Sequence, residues 1–351
     1  MKTAIAISTR AFAIAVMLCL VLAACGSQQS ATNSSGQTVV NLGYFPNMTH
    51  AAALVGVERG TFAQALGSKV QLKTMTFNAG PAEITALLAG DVDIAFVGPS
   101  PAVSGYVHSH GQALRIIAGA SSGGVLFVVR PGANIKTAKD LANKKIADPQ
   151  LGGTQDVSLR YYLKQNGLTP ADKGGNVQIV PTDNATILTL FKEGKIDGAW
   201  VPEPWGTRLI VEGKGKLFLD ERSLWPDGKF DTTNVVVRTT FLQQHPDLVN
   251  KFLQADIDTV QWINANPSSA ESIVNSEIKR LTGKGFNTQE LSAAFNNLDI
   301  TYDPLTSTVL QGADRAYSLG FLGSSKPDLS SIFNLGALNQ VLSSKGLAAV
   351  Q

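Results

Sequence analysis

Apolar residues run without a charge from Ala11 to Ala24 and stop at Cys25, after a short basic start at Lys2 and Arg10. The run is shorter than the about 20 residues that a bilayer-spanning helix needs, and it suits a signal-peptide core. It closes on Leu22-Ala23-Ala24-Cys25, then Gly26-Ser27. Small residues ahead of a thiol predict a lipoprotein signal over 1–24, with Cys25 carrying the lipid. From Gly26 to Thr38 the chain is mostly Ser, Gln, Asn, Thr and Gly with no apolar period. Residues 25–38 therefore read as a flexible tether, with a reach on the order of 20 Å.

Beyond the tether the pattern alternates between strand and helix periods. Val39 to Tyr44 reads as a strand, Pro46 to His50 as a polar loop, and Ala51 to Leu66 as a helix. A second unit repeats this, with strand Lys145-Ile146-Ala147, loop Gln150 to Thr154, and a helix from Gln155 to Gln165 stopped by Gly167. Gly90-Asp91-Val92-Asp93-Ile94-Ala95-Phe96-Val97 returns as Gly194-Lys195-Ile196-Asp197-Gly198-Ala199-Trp200-Val201, an offset of 194 − 90 = 104 residues. Each copy follows a helical pattern, Glu83 to Leu88 and Ile187 to Glu193, closed by a C′ glycine. Each leads into a proline-bearing loop, Gly98-Pro99-Ser100-Pro101 and Pro202-Glu203-Pro204-Trp205. In this register His50 and Thr154 are equivalent, and Asp93 and Asp197 share a structural role. The alternation predicts two α/β lobes, each a mostly parallel sheet flanked by helices. Two hinge crossings join them: Val125 to Arg130 leading out, and Asn234 to Arg238 returning. Lobe 1 is then 39–128 with 234–351, lobe 2 is 129–233, and the helical pattern from His245 packs back on lobe 1.

Ligands of open α/β sheets sit beyond the carboxyl ends of the strands, against helix N-termini. Two facing lobes place the named loops around one cleft. Its candidate ligand contacts are Asn47, Thr49, His50, Asn78, Gly80, Ser100, Ser121, Ser122, Gly153, Thr154 and Gln155, with Glu203 and Trp205. Glycines there let backbone approach a ligand, and Phe45, Trp205 and Trp225 stand ready to cover an apolar part. Thr154 and Asn78 also fit as N-caps, Ser121-Ser122-Gly123-Gly124 as a turn between strands, and Trp205 as a core residue. Glu203 is unfavourable to a bound anion; it either holds an amine on the ligand or accepts from backbone amides, and the second fits better. Arg208 pairs with Glu212 one turn on.

Removing Lys2 and Arg10 takes 29 basic residues to 27, against 27 acidic ones. A neutral mature chain with no basic stripe excludes nucleic acid. Of the two cysteines, Cys19 lies in the signal and Cys25 takes the lipid, so no disulfide is expected. A chain of 351 − 24 = 327 residues holds itself by its core alone. Gly119-Ala120-Ser121-Ser122-Gly123 matches a hydrolase elbow, but a strand follows it rather than a helix, and the one later histidine is His245. His108-Ser109-His110 lacks a third metal ligand at useful spacing. No phosphate loop or dinucleotide fingerprint occurs. No catalytic residue, metal or cofactor is expected.

The runs Gly43-Tyr44-Phe45-Pro46-Asn47-Met48-Thr49-His50-Ala51, Phe77-Asn78-Ala79-Gly80-Pro81 and Val201-Pro202-Glu203-Pro204-Trp205 resemble the aliphatic-sulfonate, taurine and nitrate substrate-binding proteins of ABC importers, the sulfonate branch above all. The resemblance spans the chain after the tether. It implies a type II periplasmic-binding-protein fold that closes on a small anion, most simply a sulfonate, and docks on a permease with its cytoplasmic ATPase. With the signal and Cys25, the chain is expected to be extracytoplasmic, lipid-anchored and monomeric. The matching loops, Asn47 to His50, Asn78 to Pro81, Gly152 to Gln155 and Glu203 to Trp205, inherit ligand contact as loops. Taurine, nitrate, an aromatic acid or a pyrimidine precursor are the alternative ligands. The thiamine-pyrimidine synthase of this fold is an enzyme that uses a cysteine-rich segment, which this chain lacks beyond Cys25.

Overall fold

The computed structural model describes residue 33 and residues 36–351. The signal 1–24, Cys25 and most of the tether lie outside the described residues. The strands are β1 (Thr38–Tyr44), β2 (Val70–Thr76), β3 (Ile94–Val97), β4 (Leu114–Gly123), β5 (Val125–Val129), β6 (Lys145–Asp148), β7 (Gln178–Pro181), β8 (Gly198–Pro202), β9 (Lys216–Asp220), β10 (Asp231–Arg238) and β11 (Leu298–Ile300). They form two sheets, ordered β11-β4-β10-β3-β1-β2 and β7-β6-β8-β5-β9. Central strands such as β3 and β8 are buried at every position, as expected for sheets covered by helices on both faces.

The repeat is kept down to hydrogen bonds. In the first sheet β2, β1 and β3 are parallel, and in the second β7, β6 and β8 are parallel. Leu42 pairs with Ile94 in one lobe and Ile146 with Gly198 in the other, the same register at the 104-residue offset. Asp93 accepts from Asn41 N at 2.9 Å, and Asp197 from Lys145 N at 3.0 Å. Each aspartate also meets an arginine at the end of the strand that enters from the other lobe, Arg238 on Asp93 and Arg130 on Asp197. That entering strand, β10 or β5, is antiparallel to its neighbours. The mostly parallel sheets expected from sequence thus each carry a reversed strand where the chain comes in from the other lobe, and β11, antiparallel to β4, adds a second at the edge of the first sheet. Gly90 and Gly194 close the preceding helices in the left-handed conformation, φ 89 and 70.

The outward crossing falls earlier than the sequence indicated. β5 pairs wholly within the second sheet, so the chain passes between lobes at Gly123-Gly124, both left-handed at φ 74 and 69. The return runs through 221–230. There Glu221 is buried and accepts from Ser158, Trp200 and Trp225. Arg315, on the helix Thr306–Ser318, lies 3.6 Å over the Trp225 ring. The long helix Pro246–Ala265 packs on the first sheet's helices, with Phe252 stacked on Phe62 at 4.6 Å. The segment read as one helix from Ala51 to Leu66 is two, Ala51–Glu58 and Thr61–Leu66, broken at Arg59-Gly60.

Candidate ligand-binding site

Chain direction dictates where a site can form. At the carboxyl end of β1 the loop carries Phe45, Asn47, Thr49 and His50. The end of β2 leads to Asn78, Ala79 and Gly80, and that of β3 to Gly98 and Pro101. In the second lobe β6 delivers Pro149, Gln150, Gly153, Thr154 and Gln155, while β7 leads to Asn184 and β8 ends on Pro202. β10 runs the other way, so its start, Thr232 and Thr233, reaches the same edge. All of these residues line one cavity between the lobes, with about 440 Å³ of free space including its mouth. The lining repeats at the 104-residue offset: Phe45 has its counterpart in Pro149, and Thr49/Gly153, His50/Thr154, Gly80/Asn184 and Gly98/Pro202 follow.

No lining side chain carries a charge. The helices Gly80–Ala89, Pro99–His108 and Thr154–Gln165 begin at the cavity, and none has a side-chain N-cap bond. Their N-terminal dipole ends and unmatched N–H groups favour an anion. Thr154 is the first helical residue and Gly153 its cap, so the N-cap role that sequence allowed Thr154 is not the one it plays. Its Oγ1 is buried with no partner in the protein, as are Asn184 Oδ1 and Gln150 Oε1. His50 is buried, and desolvation holds its pKa down to about 3, so the imidazole is neutral. Nδ1 accepts from Phe45 N at 3.3 Å, which leaves the ring proton on Nε2 as a donor. The helix N-termini, the Thr154 hydroxyl and His50 Nε2 offer donors and dipoles to an oxyanion without a formal positive charge, whereas the two amide oxygens are acceptors.

Of the residues expected from sequence, Asn47, Thr49, His50, Asn78, Gly80, Gly153, Thr154 and Gln155 line the cavity. Ser100, Ser121, Ser122, Glu203 and Trp205 do not. Ser100 sits one residue, about 100° of helical turn, from Pro101, which takes the lining place. Ser121 and Ser122 end β4 inside the crossing, where Ser122 Oγ accepts from Phe230 N at 3.3 Å. Trp205 donates from Nε1 to Asn47 Oδ1 at 3.1 Å, a bond from one lobe to the other. Glu203 accepts from Thr207 N and Thr207 Oγ1, both at 2.9 Å, and from Asn297 Nδ2 at 2.6 Å. Burial pushes its pKa up while these donors pull it down. It fastens the crossing and has no oxygen to spare for a ligand amine. Trp225 stacks on Phe230 at 5.4 Å, away from the cavity. Pro149, Gln150, Asn184, Thr232 and Thr233 were missed. Asn184 was within reach of the sequence, standing 104 residues after Gly80.

A family model described as the NMT1-like family matches residues 33–276. The taurine-binding periplasmic protein of Escherichia coli K12 is 31% identical over 235 residues, 66% of this chain and 69% of that protein. A putative aliphatic sulfonates-binding protein of Bacillus subtilis is 25% identical over 276 residues, 77% of this chain and 79% of that one. Among solved structures, the alkanesulfonate-binding protein of Xanthomonas axonopodis bound to MOPS superposes with a TM-score of 0.69 at 16% identity, covering 84% of this chain and 97% of that one. The nitrate-binding protein of Synechocystis PCC 6803 gives 0.70 at 17% identity, covering 88% and 89%.

Proposed function

This chain belongs to the NMT1-like family, within the solute-binding proteins of ABC importers, and on that footing we propose that it captures an aliphatic sulfonate and delivers it to its permease. It is the extracytoplasmic binding component for a small organic anion, on a type II periplasmic-binding-protein fold, and it belongs to a non-catalytic family. The observation that carries the sulfonate is the cavity's neutrality. A sulfonate is anionic at every physiological pH and has only acceptor oxygens to present. A site made of helix N-termini, a neutral imidazole and threonine hydroxyls matches it. Each charge-assisted bond contributes about 1.5–3 kcal/mol, so a handful suffices for micromolar capture.

Thr154→Val tests this directly. It removes a buried hydroxyl that has no partner in the protein and keeps the side chain's shape. Calorimetry should show ethanesulfonate binding weakened at least about fivefold, near 1 kcal/mol, with little change in unliganded melting temperature. Equal affinity would remove Thr154 from the ligand's shell. A thermal-shift panel of ethanesulfonate, nitrate, phthalate and a pyrimidine should respond to the sulfonate, by about 2.7 kcal/mol at about 100 times the dissociation constant. A response to nitrate or the pyrimidine alone would refute the sulfonate assignment.

We further propose that the protein works as a monomer tethered by lipid on Cys25. The lipobox and the polar stretch after it support that reading. Fractionation of cells expressing Cys25→Ser should move the protein from membranes to the soluble extracytoplasmic fraction. Retention on membranes would mean another anchor.

A further inference from the structure

Resting on the sulfonate reading above, we infer that the ligand carries no cationic group: the cavity takes a short, unsubstituted alkanesulfonate in preference to its amino-substituted counterpart. An ammonium leaving water loses a hydration that a carboxylate or several well-placed acceptors must replace. Among the described residues, no carboxylate lines this cavity. The carboxyl groups next in sequence to its walls are committed elsewhere: Asp156 accepts from Gly152 N and pairs with Arg160, and Asp183 caps the helix Asn184–Lys192 by accepting from Thr186. Both oxygens of Glu203 are taken by Thr207 and Asn297. Asp148, one residue before Pro149, is fully buried, and burial beside Asp156 favours its protonated form. Asp231, one residue before Thr232, is fully buried near Asp303 and is likewise kept from ionising. None of them lines the cavity, and the one whose pKa is held low, Asp183, spends both oxygens on Thr186.

What the cavity does present works against a cation. The N-terminal ends of the helices starting at Gly80, Pro99 and Thr154 set a positive potential there. The same field that draws in a sulfonate repels an ammonium a few ångströms away. The amides of Gln150 and Asn184 offer one neutral oxygen apiece, too little to replace an ammonium's water. The rest of the wall, Phe45, Pro101, Pro149 and Pro202, is apolar and suits a short hydrocarbon tail. This separates the chain from the taurine-binding relative it resembles at 31% identity.

The test compares ethanesulfonate with taurine, which differ by the amino group, by calorimetry on the purified chain. Asn184→Asp is measured beside it, because it places a carboxylate in the wall. Taurine should bind the native chain at least about tenfold more weakly than ethanesulfonate. In Asn184→Asp, ethanesulfonate should weaken more than taurine does, narrowing or reversing the ratio. Taurine binding as tightly as ethanesulfonate, or an unchanged ratio in the variant, would overturn the inference and leave the sulfonate reading standing. Failure of both ligands on the native chain would overturn the sulfonate reading, and this inference with it.

Discussion

Valine in place of Gly98 is expected to weaken ligand capture by more than about tenfold while leaving the unliganded protein folded. The backbone does not demand glycine here: φ −65 and ψ 154 are open to any residue, and Pro99 follows comfortably. What demands it is the other lobe. A β-carbon at Gly98 would stand 2.4 Å from Thr154 Oγ1 and 3.5 Å from Thr154 Cβ, whereas the next contact, Thr232 O, is an ordinary 3.6 Å. Gly98 belongs to the β3 end and Thr154 to the β6 end, so the clash exists only when the lobes come together. Added bulk at a packed contact costs about 1–3 kcal/mol, and that cost falls on closure. Calorimetry should show the loss in affinity, and small-angle scattering should show that ligand no longer compacts the variant. Native affinity in Gly98→Val would mean the lobes do not approach this closely around ligand.

Asp256→Asn is expected to raise stability at alkaline pH and to flatten its fall with pH. Asp256 lies in the core helix Pro246–Ala265, fully buried, and neither carboxyl oxygen has a partner in the protein. Desolvation lifts its pKa from 3.8 to about 8. Below about pH 4 the folded and unfolded chains both hold this proton and the site is silent. Above that, the unfolded chain releases the proton and the folded chain keeps it. Stability therefore falls by about 1.4 kcal/mol per pH unit until the folded carboxyl ionises too. Asparagine keeps the shape and does not titrate. Between about pH 5 and about pH 8 the native chain should lose about 4 kcal/mol more than the variant in urea unfolding. Glu83, Asp148 and Asp231 are pushed up by burial in the same direction, so a residual slope remains in both. Parallel curves would show that Asp256 ionises at an ordinary pH.

The repeat was the most legible feature, because strand register, the aspartate that accepts from the neighbouring strand and the closing glycine each leave a residue-level mark that recurs at one spacing. It carries through to the cavity wall, where His50 and Thr154 occupy equivalent places. Its extension from Gly80 to Asn184 went unread because a glycine contributes backbone there and an asparagine contributes an amide, so the chemistry hides the correspondence. Trp205 and Glu203 show the opposite difficulty. Both stand in the right loop, but each has a partner far away in sequence, Asn47 for Trp205 and Asn297 for Glu203. Local pattern does not separate a side chain that touches ligand from one that ties two lobes. The outward crossing was misplaced because Val125 to Val129 is apolar at every position and suits a buried strand of either sheet. The turn at Gly123-Gly124 decides the matter through tertiary pairing. Thr232 and Thr233 fell outside the expected strand because they are polar, and they are buried because the cavity lies against them.

The route of the chain through its two sheets has a consequence for heredity. Leu126 and Asp220 are register neighbours across β5 and β9, and Ser122 and Asp231 are neighbours across β4 and β10. The second sheet is thus a single uninterrupted stretch whose two ends emerge side by side, and the gap it leaves in the host is equally narrow. Such an insert can be exchanged between relatives as one piece of coding sequence, with both junctions outside the ladders. It carries Pro149, Gln150, Gly153, Thr154, Gln155, Asn184 and Pro202 with it, one whole wall of the cavity. Recombination at two points would then recast half of the recognition surface at a stroke. The face built by the first sheet, and whatever docks against it, would pass unaltered to the descendant.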